Sequence, residues 1–176
     1  MLQSYTIRPA TFADIENILK VNQATWDISY LGCIPDSLLQ ERHKTFNERV
    51  QKWQTSWHDK IGFVAEINGQ IVGETTGTKQ GLTNDCDCFL NTLYVHPDYQ
   101  GLGIGKALFL TFTEKMKKLN KHKLEIHTLY KGIPDEKGNT KSGPSIGFYQ
   151  KMGCLLTDIY DTHPLGMIDV LMIKEL

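Results

Sequence analysis

The chain has 176 residues, 40% of them hydrophobic, and a formal net charge of −1. That length suits one domain with a sizeable core, spanning residues 1–176. The near-zero charge gives no strong field for nucleic acid or a membrane surface. No apolar run reaches the ~18 residues of a membrane span, and the start lacks the pattern of a secretory signal. Four scattered cysteines (Cys33, Cys86, Cys88, Cys154) suit reduced thiols in a cytoplasm better than a disulfide framework.

A short strand is predicted over residues 5–8. Thr11-Phe12-Ala13-Asp14 fits a capping box that opens a helix running to about Val21, with Phe12, Ile15, Ile18 and Leu19 facing inward. Residues 22–35 read as irregular and aromatic. Asp36 is placed as the N-cap of a longer helix carrying Leu39, Phe46, Val50, Trp53 and Trp57 at helical spacing. Residues 61–67 and 70–78 make a hairpin through Asn68-Gly69, a type I′ signal. After a loop at 81–85 comes a central strand over 86–95, then a turn at His96-Pro97-Asp98, where Pro97 removes a donor. Helix 106–119 follows, with Leu108, Phe112, Met116 and Leu119 on one face.

Strand 123–129 sets Leu124, Ile126 and Thr128 on one side and Glu125 and His127 on the other. A polar loop over 130–144 leads to a short helix over 145–152 ended by Gly153. Two last strands, 155–160 and 168–174, flank His163-Pro164-Leu165-Gly166. No internal repeat, low-complexity segment or linker is evident.

The stretch between the central strand and its helix carries the most information. Strand, glycine-rich loop and helix form a layout for binding phosphate: glycines let the backbone approach a ligand, and the first free N–H groups and the dipole of the helix favour an anion. A P-loop is excluded, because Gln100 stands where its first glycine belongs and Ala107 where its magnesium-binding hydroxyl belongs. The dinucleotide pattern fails too, its last glycine position falling on Lys106 or Leu108.

What remains is Gln-x-x-Gly-x-Gly at Gln100, Gly103 and Gly105, preceded by Leu-Tyr-Val-His-Pro-Asp-Tyr. This resembles the acyl-CoA-binding signature of the GCN5-related N-acetyltransferase (GNAT) family. Downstream, Ser145 to Cys154 (Ser-Ile-Gly-Phe-Tyr-Gln-Lys-Met-Gly-Cys) is similar to that family's Phe-Tyr-x-Lys-x-Gly segment. With the order of elements, the resemblance covers nearly the whole chain. It implies an α/β, single-domain GNAT-like fold: a mixed, mostly antiparallel sheet flanked by helices on both faces.

The resemblance also implies roles. Gln100, Gly101, Leu102, Gly103, Ile104, Gly105 and Lys106 would hold the pyrophosphate of acetyl-CoA, the acyl donor. Leu93, Tyr94 and Val95 would pair with its pantetheine amides, where the following strand splays away. Ser142 stands where relatives often place an Asn on the pantetheine arm. Tyr149 is the candidate general acid, a phenol protonated at neutral pH. Many relatives carry a general-base Glu where this chain has Phe89, so the base stays open among Asn91, Asp87, Glu74, His127 and a water wire. Trp26, Asp27 and Tyr30 lie in the region that walls the acceptor pocket in the family; packing in the core or at a dimer contact is the other reading of these aromatics.

No metal site is expected: Cys86 and Cys88 lack the spacing and second pair of a zinc site. The lysines at 115, 117, 118, 121 and 123 suit a solvated face beside the helix C-terminus. The implied reaction is transfer of an acetyl group to a primary amine, expected to belong to a small molecule, in a ternary complex. Alternatives are a non-catalytic acyl-CoA-binding sensor, or transfer to a protein N-terminus or lysine. No nucleic-acid or membrane partner is expected, and the oligomeric state, a homodimer included, stays open.

Overall fold

The computed structural model describes residues 4–134, 137–162 and 166–176. In chain order its strands are β1 (Thr6–Pro9), β2 (Lys60–Ile67), β3 (Gln70–Thr78), β4 (Cys88–Val95), β5 (Lys123–Lys131), β6 (Leu155–Thr162) and β7 (Ile168–Glu175). Its helices are α1 (Ile15–Ser29), α2 (Asp36–Lys44), α3 (Phe46–Ser56), α4 (Ile104–Lys118) and α5 (Ile146–Lys151). The strands form one sheet ordered β1-β2-β3-β4-β5-β7-β6. Every neighbouring pair is antiparallel except β4 with β5. The expected α/β fold, mixed and mostly antiparallel, is the one found. The turn expected around His163-Pro164-Leu165 lies outside the described residues.

Burial divides the helices between the two faces. Phe109, Phe112, Leu108 and Met116 of α4 are fully buried against Phe63, Leu90, Leu124 and Ile126 of the sheet. On the other face, Ile18 and Val21 of α1 meet Val64 and Ile71, with Trp53 and Trp57 packed beside them. The entry into α1 is fixed electrostatically. Arg8 on β1 forks onto Asp14 (2.7 and 2.9 Å) and also reaches Glu66 on β2 (2.7 Å). Asp14 completes the capping box with Thr11, and the Arg8 hydrogen bond holds its carboxyl well below the usual range.

Several boundaries differ from the sequence reading. The first helix runs to Ser29 rather than Val21, so Trp26 and Asp27 are helical. Its second half, poor in apolar periodicity, is held by tertiary bonds: Asn22 accepts from Arg42 and Gln23 from Arg49. Phe12 is exposed, because it sits in the short 3₁₀ turn ahead of α1 instead of on the helix face. The longer helix expected after Asp36 is two helices, and Asp36 is the first residue of α2, not its cap. Thr45 separates them; its hydroxyl bonds back to the Glu41 carbonyl (2.9 Å), in the competition with helical bonding typical of Thr.

Gly77 on β3 is where α4 comes closest to the sheet. A Cβ there would overlap the Phe89 carbonyl oxygen and the Phe112 ring, whereas one on Gly147 of α5 would meet nothing within 4 Å. Gly77→Ala is therefore expected to cost about 1–3 kcal/mol through overpacking, and Gly147→Ala to be neutral or stabilising. Urea denaturation of the two variants checks the difference.

Candidate active site

The site is built by strands that part. β4 and β5 pair in parallel only at Cys88, Phe89 and Leu90 with Leu124, Glu125 and Ile126. Beyond that point β4 runs to Val95 and β5 to Lys131 without pairing to each other. Opposite Thr76 and Gly77 the β3–β4 register shifts, so that Asn91 is an extra residue on β4, a bulge of the kind often found next to reacting centres.

Two cavities open on this gap. One, of about 470 Å³, is lined by Leu93, Tyr94 and Val95, the loop residues Gln100, Gly101 and Gly103 to Lys106, and Phe148, Tyr149 and Met152. The other, of about 370 Å³, is lined by Asn91, Thr92, His127 and Asp169 from the sheet and by Trp26, Arg42, Arg49 and Trp53 from α1, α2 and α3. Tyr30, Leu93, Tyr94, Ser145 and Tyr149 line both. The cavities therefore meet at the parting of the strands.

In the first cavity, Gly103 takes a left-handed φ of 82° at the N-cap of α4, and Gly101 one of 80°. These turns leave the first amides of α4 without helical partners. Gln100 lines the groove and also braces the loop: its Nε2 donates to the Val95 carbonyl (3.0 Å), which also accepts from Thr25 Oγ1 (3.1 Å). The end of β4 is thereby pinned to both the loop and α1. Leu102 is 39% exposed and lines neither cavity. Nor does Ser142, which is exposed and bridges Lys131 through its backbone. Ser145 stands in the gap instead, its hydroxyl 3.0 Å from Thr128 Oγ1.

Tyr149 is buried at the junction between Phe148 and Phe109. Its hydroxyl makes no hydrogen bond among the described residues, and burial raises its phenol above the ordinary range, so it keeps its proton at neutral pH.

The four base candidates separate clearly. Asp87 lies apart, its Oδ2 accepting the His122 and Lys123 amides (2.9 and 3.0 Å) at the start of β5. It lines neither cavity, because it precedes the pairing that brings β4 to the gap. Glu74 is buried under the sheet on the α1 side, accepting from Thr92 Oγ1 (2.8 Å) while its other oxygen has no partner. Burial pushes its carboxyl up to about 8. Asn91 lines the second cavity and is exposed.

His127 lines the same cavity. Its Nε2 is 2.7 Å from Glu125 Oε1, and its ring meets Phe89 edge-on at 5.8 Å. Glu125 is fully buried, and its Oε2 accepts the amides of Leu82 and Thr83 and the Thr83 hydroxyl, each at 3.0 Å. Burial raises the Glu125 carboxyl, but these bonds outweigh it and leave it below its ordinary range. Glu125 is thus a carboxylate that orients one face of the imidazole.

Of the aromatic stretch, Trp26 and Tyr30 stack at 4.1 Å and line the second cavity, and Trp26 Nε1 donates to the Tyr94 hydroxyl (3.0 Å). Asp27 does not line it; its Oδ1 meets Gln23 Nε2 and His43 Nε2, each at 3.0 Å. Arg42 and Arg49 are the residues the sequence reading missed. They fall in register with Phe46 and Trp53 at helical spacing, a stripe that could have marked them as inward-facing.

The sequence model of the acetyltransferase (GNAT) domain matches residues 58–153, more than half of the chain. This chain belongs to the GNAT family. A curated relative, an N-acetyltransferase of Methanocaldococcus jannaschii, is 26% identical over 169 residues. That match takes in 87% of this chain and 62% of the relative's length. Among solved structures, the PaiA N-acetyltransferase of Thermoplasma acidophilum, in complex with coenzyme A, superposes with a TM-score of 0.74 at 19% identity, over 98% of this chain and 99% of that one. yncA of Salmonella typhimurium, solved with its cofactor acetyl-CoA, does so with 0.65 at 19% identity, over 98% and 94%. At such identities the likeness is one of fold, and it spans nearly the whole chain. No helix of the described residues is long and apolar enough to cross a membrane.

The buried Glu74 gives the GNAT domain a pH signature. Its carboxyl is near 8 in the folded chain against an ordinary 4.5. Between those values the native state holds a proton that the unfolded chain has lost, so stability falls as pH rises through that window. Urea denaturation from pH 5 to 8 is expected to show this loss, at most about 1.4 kcal/mol per pH unit, and Glu74→Gln to flatten it.

Proposed function

We propose that the chain is an acetyl-CoA-dependent N-acetyltransferase that moves an acetyl group to the primary amine of a small molecule by direct attack in a ternary complex. The observation that carries this reading is the meeting of two cavities at Tyr149, one beside a helix N-terminus and glycine loop, the other lined by residues of α1, α2 and α3 and of the sheet. A concave site of about 370 Å³ has the size of a small-molecule pocket, which favours a small acceptor. The bound coenzyme A and acetyl-CoA of the two solved structures support the donor.

The loop fits that donor. The backbone amides from Gly101 to Lys106 take the pyrophosphate, since the left-handed glycines leave room beside them and the α4 dipole favours the anion. The backbone of Leu93 and Tyr94 receives the pantetheine arm in the gap. The Val95 carbonyl is already taken by Gln100 and Thr25, so Val95 acts by fixing the end of the strand. Acetyl-CoA supplies a thioester carbonyl, activated because a thiolate is a good leaving group.

The chain's own residues then move two protons. His127 is the general base: it takes a proton from the acceptor's ammonium, leaving a lone pair to attack the carbonyl. Glu125 stabilises the imidazolium that forms. His127 stands against Phe89, so the base has moved one strand over from the position that relatives fill with Glu. As the new C–N bond forms and the C–S bond breaks, Tyr149 gives its phenolic proton to the departing sulfur, while the acylated nitrogen loses its second proton to solvent, from which the phenolate is reprotonated and to which the imidazolium returns its proton.

His127→Ala and Tyr149→Phe are each expected to lower kcat by roughly 10²–10⁴-fold while leaving acetyl-CoA affinity nearly unchanged. Gly103→Glu, which sets bulk and negative charge at the loop, is expected to abolish acetyl-CoA binding in a folded protein. Thiol release and calorimetry read these effects. Unchanged turnover in His127→Ala would move the base to a water wire.

A further inference from the structure

The acceptor-side cavity carries two guanidiniums whose charges no carboxylate neutralises directly. Arg42 and Arg49 both line it, and neither is in a salt bridge among the described residues. Each is held by a neutral partner instead. Arg42 Nη2 donates to Asn22 Oδ1 (2.8 Å) with its guanidinium stacked 3.6 Å over the Trp26 ring, and Arg49 Nη2 donates to Gln23 Oε1 (2.5 Å). These tethers account for one nitrogen of each fork. The Nε of both is buried and has no partner. A buried donor left unmatched is costly, and both arginines line the same cavity.

Asp27 is the nearest carboxylate on α1, but its Oδ1 is already engaged by Gln23 and His43. Asp169 and His127 line the cavity from the sheet. Burial, and after it the neighbouring Arg49, lower Arg42 to about 10. An anion between the two would relieve both effects. A tether between helices would have been served as well by one hydrogen bond from a neutral side chain; two forks with spare donors in a cavity are the geometry that takes up a carboxylate.

We propose that Arg42 and Arg49 bind a carboxylate on the acceptor, so that the substrate is a small amino acid-like molecule bearing both a primary amine and a carboxylate. This rests on the acetyltransferase reading above and names the substrate class of the same site. The arginines on the helical wall hold the carboxylate. The amine is thereby directed to the parting of β4 and β5, where His127 and Tyr149 lie. Trp26, Trp53, Leu19 and Leu129 give the cavity apolar walls for the carbon frame between the two groups. A polyamine, with cationic groups at both ends, would set a positive charge against the pair.

The test is thiol release from acetyl-CoA with matched acceptors: amino acids of increasing length, the amides and decarboxylated amines derived from each, and a polyamine. Acetyl-CoA affinity is measured beside it by calorimetry. The free carboxylates are expected to be preferred in kcat/KM by roughly 10–100-fold, as for charge-assisted hydrogen bonds lost from a binding pocket. Arg42→Met and Arg49→Met keep the apolar stems. Each is expected to raise KM for the carboxylate substrate by about tenfold or more while leaving kcat, the KM of the decarboxylated amine and acetyl-CoA affinity nearly unchanged. Arg49→Lys is expected to recover part of the loss.

Equal use of amides and free acids, preference for the polyamine, or acetyl-CoA binding with no carboxylate-bearing amine turned over would each overturn the proposal and leave the acetyltransferase reading standing. Failure of the wild type to bind acetyl-CoA would overturn both. Should either Met variant fail to fold, the acceptor comparison on the wild type decides alone.

Discussion

Three parallel pairs hold β4 to β5, and after Leu90 and Ile126 the two strands separate. The site depends on that separation being tolerated. Backbone N–H and C=O groups along two diverging edges would ordinarily be a liability in a buried sheet. Each strand stays in place because its other edge is occupied: β4 pairs with β3 up to Val95, and β5 pairs with β7 along its length to Lys131. Side chains close part of the opening. Gln100 and Thr25 cap the Val95 carbonyl, the Thr128 and Ser145 hydroxyls meet across its far side, and α5 sets Tyr149 between. What stays unpaired is a slot with backbone donors and acceptors on its walls, suited to a chain of amides.

The same parting gives the two sides of the sheet different electrostatics. The α4 side offers helix amides and a dipole to an anion. The α1 side holds ionisable groups in graded surroundings: a carboxylate kept charged by three donors at Glu125, one pushed toward neutrality by burial at Glu74, an imidazole held by the first, and two arginines tethered to neutral amides. Proton transfer near neutral pH needs groups held in different protonation states at close quarters. Differential burial and hydrogen bonding along β3 and β5 hold Glu74 and Glu125 in such contrasting surroundings.

Much of this was legible in the sequence, and for identifiable reasons. The glycine loop shows itself because Gly101 and Gly103 need a left-handed backbone, and the hairpin because Asn68-Gly69 needs the same at both central positions. Helix α4 shows itself through a clean apolar stripe. The reading failed where tertiary contacts replace local pattern. The second half of α1 is held by arginines from two later helices, and its own residues there, Asn22, Gln23 and Asp27, look like loop. Position in a motif does not reveal how a long loop folds back, and Ser142 lies exposed at a bridge to Lys131 while Ser145 stands in the gap. Simple alternation along β4 would set Asp87 and Asn91 on one face, but the bulge at Asn91 breaks it. Arg42 and Arg49 were passed over because arginines on an amphipathic helix are usually solvated; here the stripe that includes them lines a cavity.

The most direct test of the account is a crystal structure with coenzyme A bound. The central claim places the pyrophosphate on the amides from Gly101 to Lys106, the pantetheine arm along Leu93 and Tyr94, and the thiol between the parted strands within hydrogen-bond reach of the Tyr149 hydroxyl. Density that follows this course into the junction of the two cavities is the predicted result. A thiol that ends outside the gap, or a pyrophosphate bound away from the α4 N-terminus, would contradict the account.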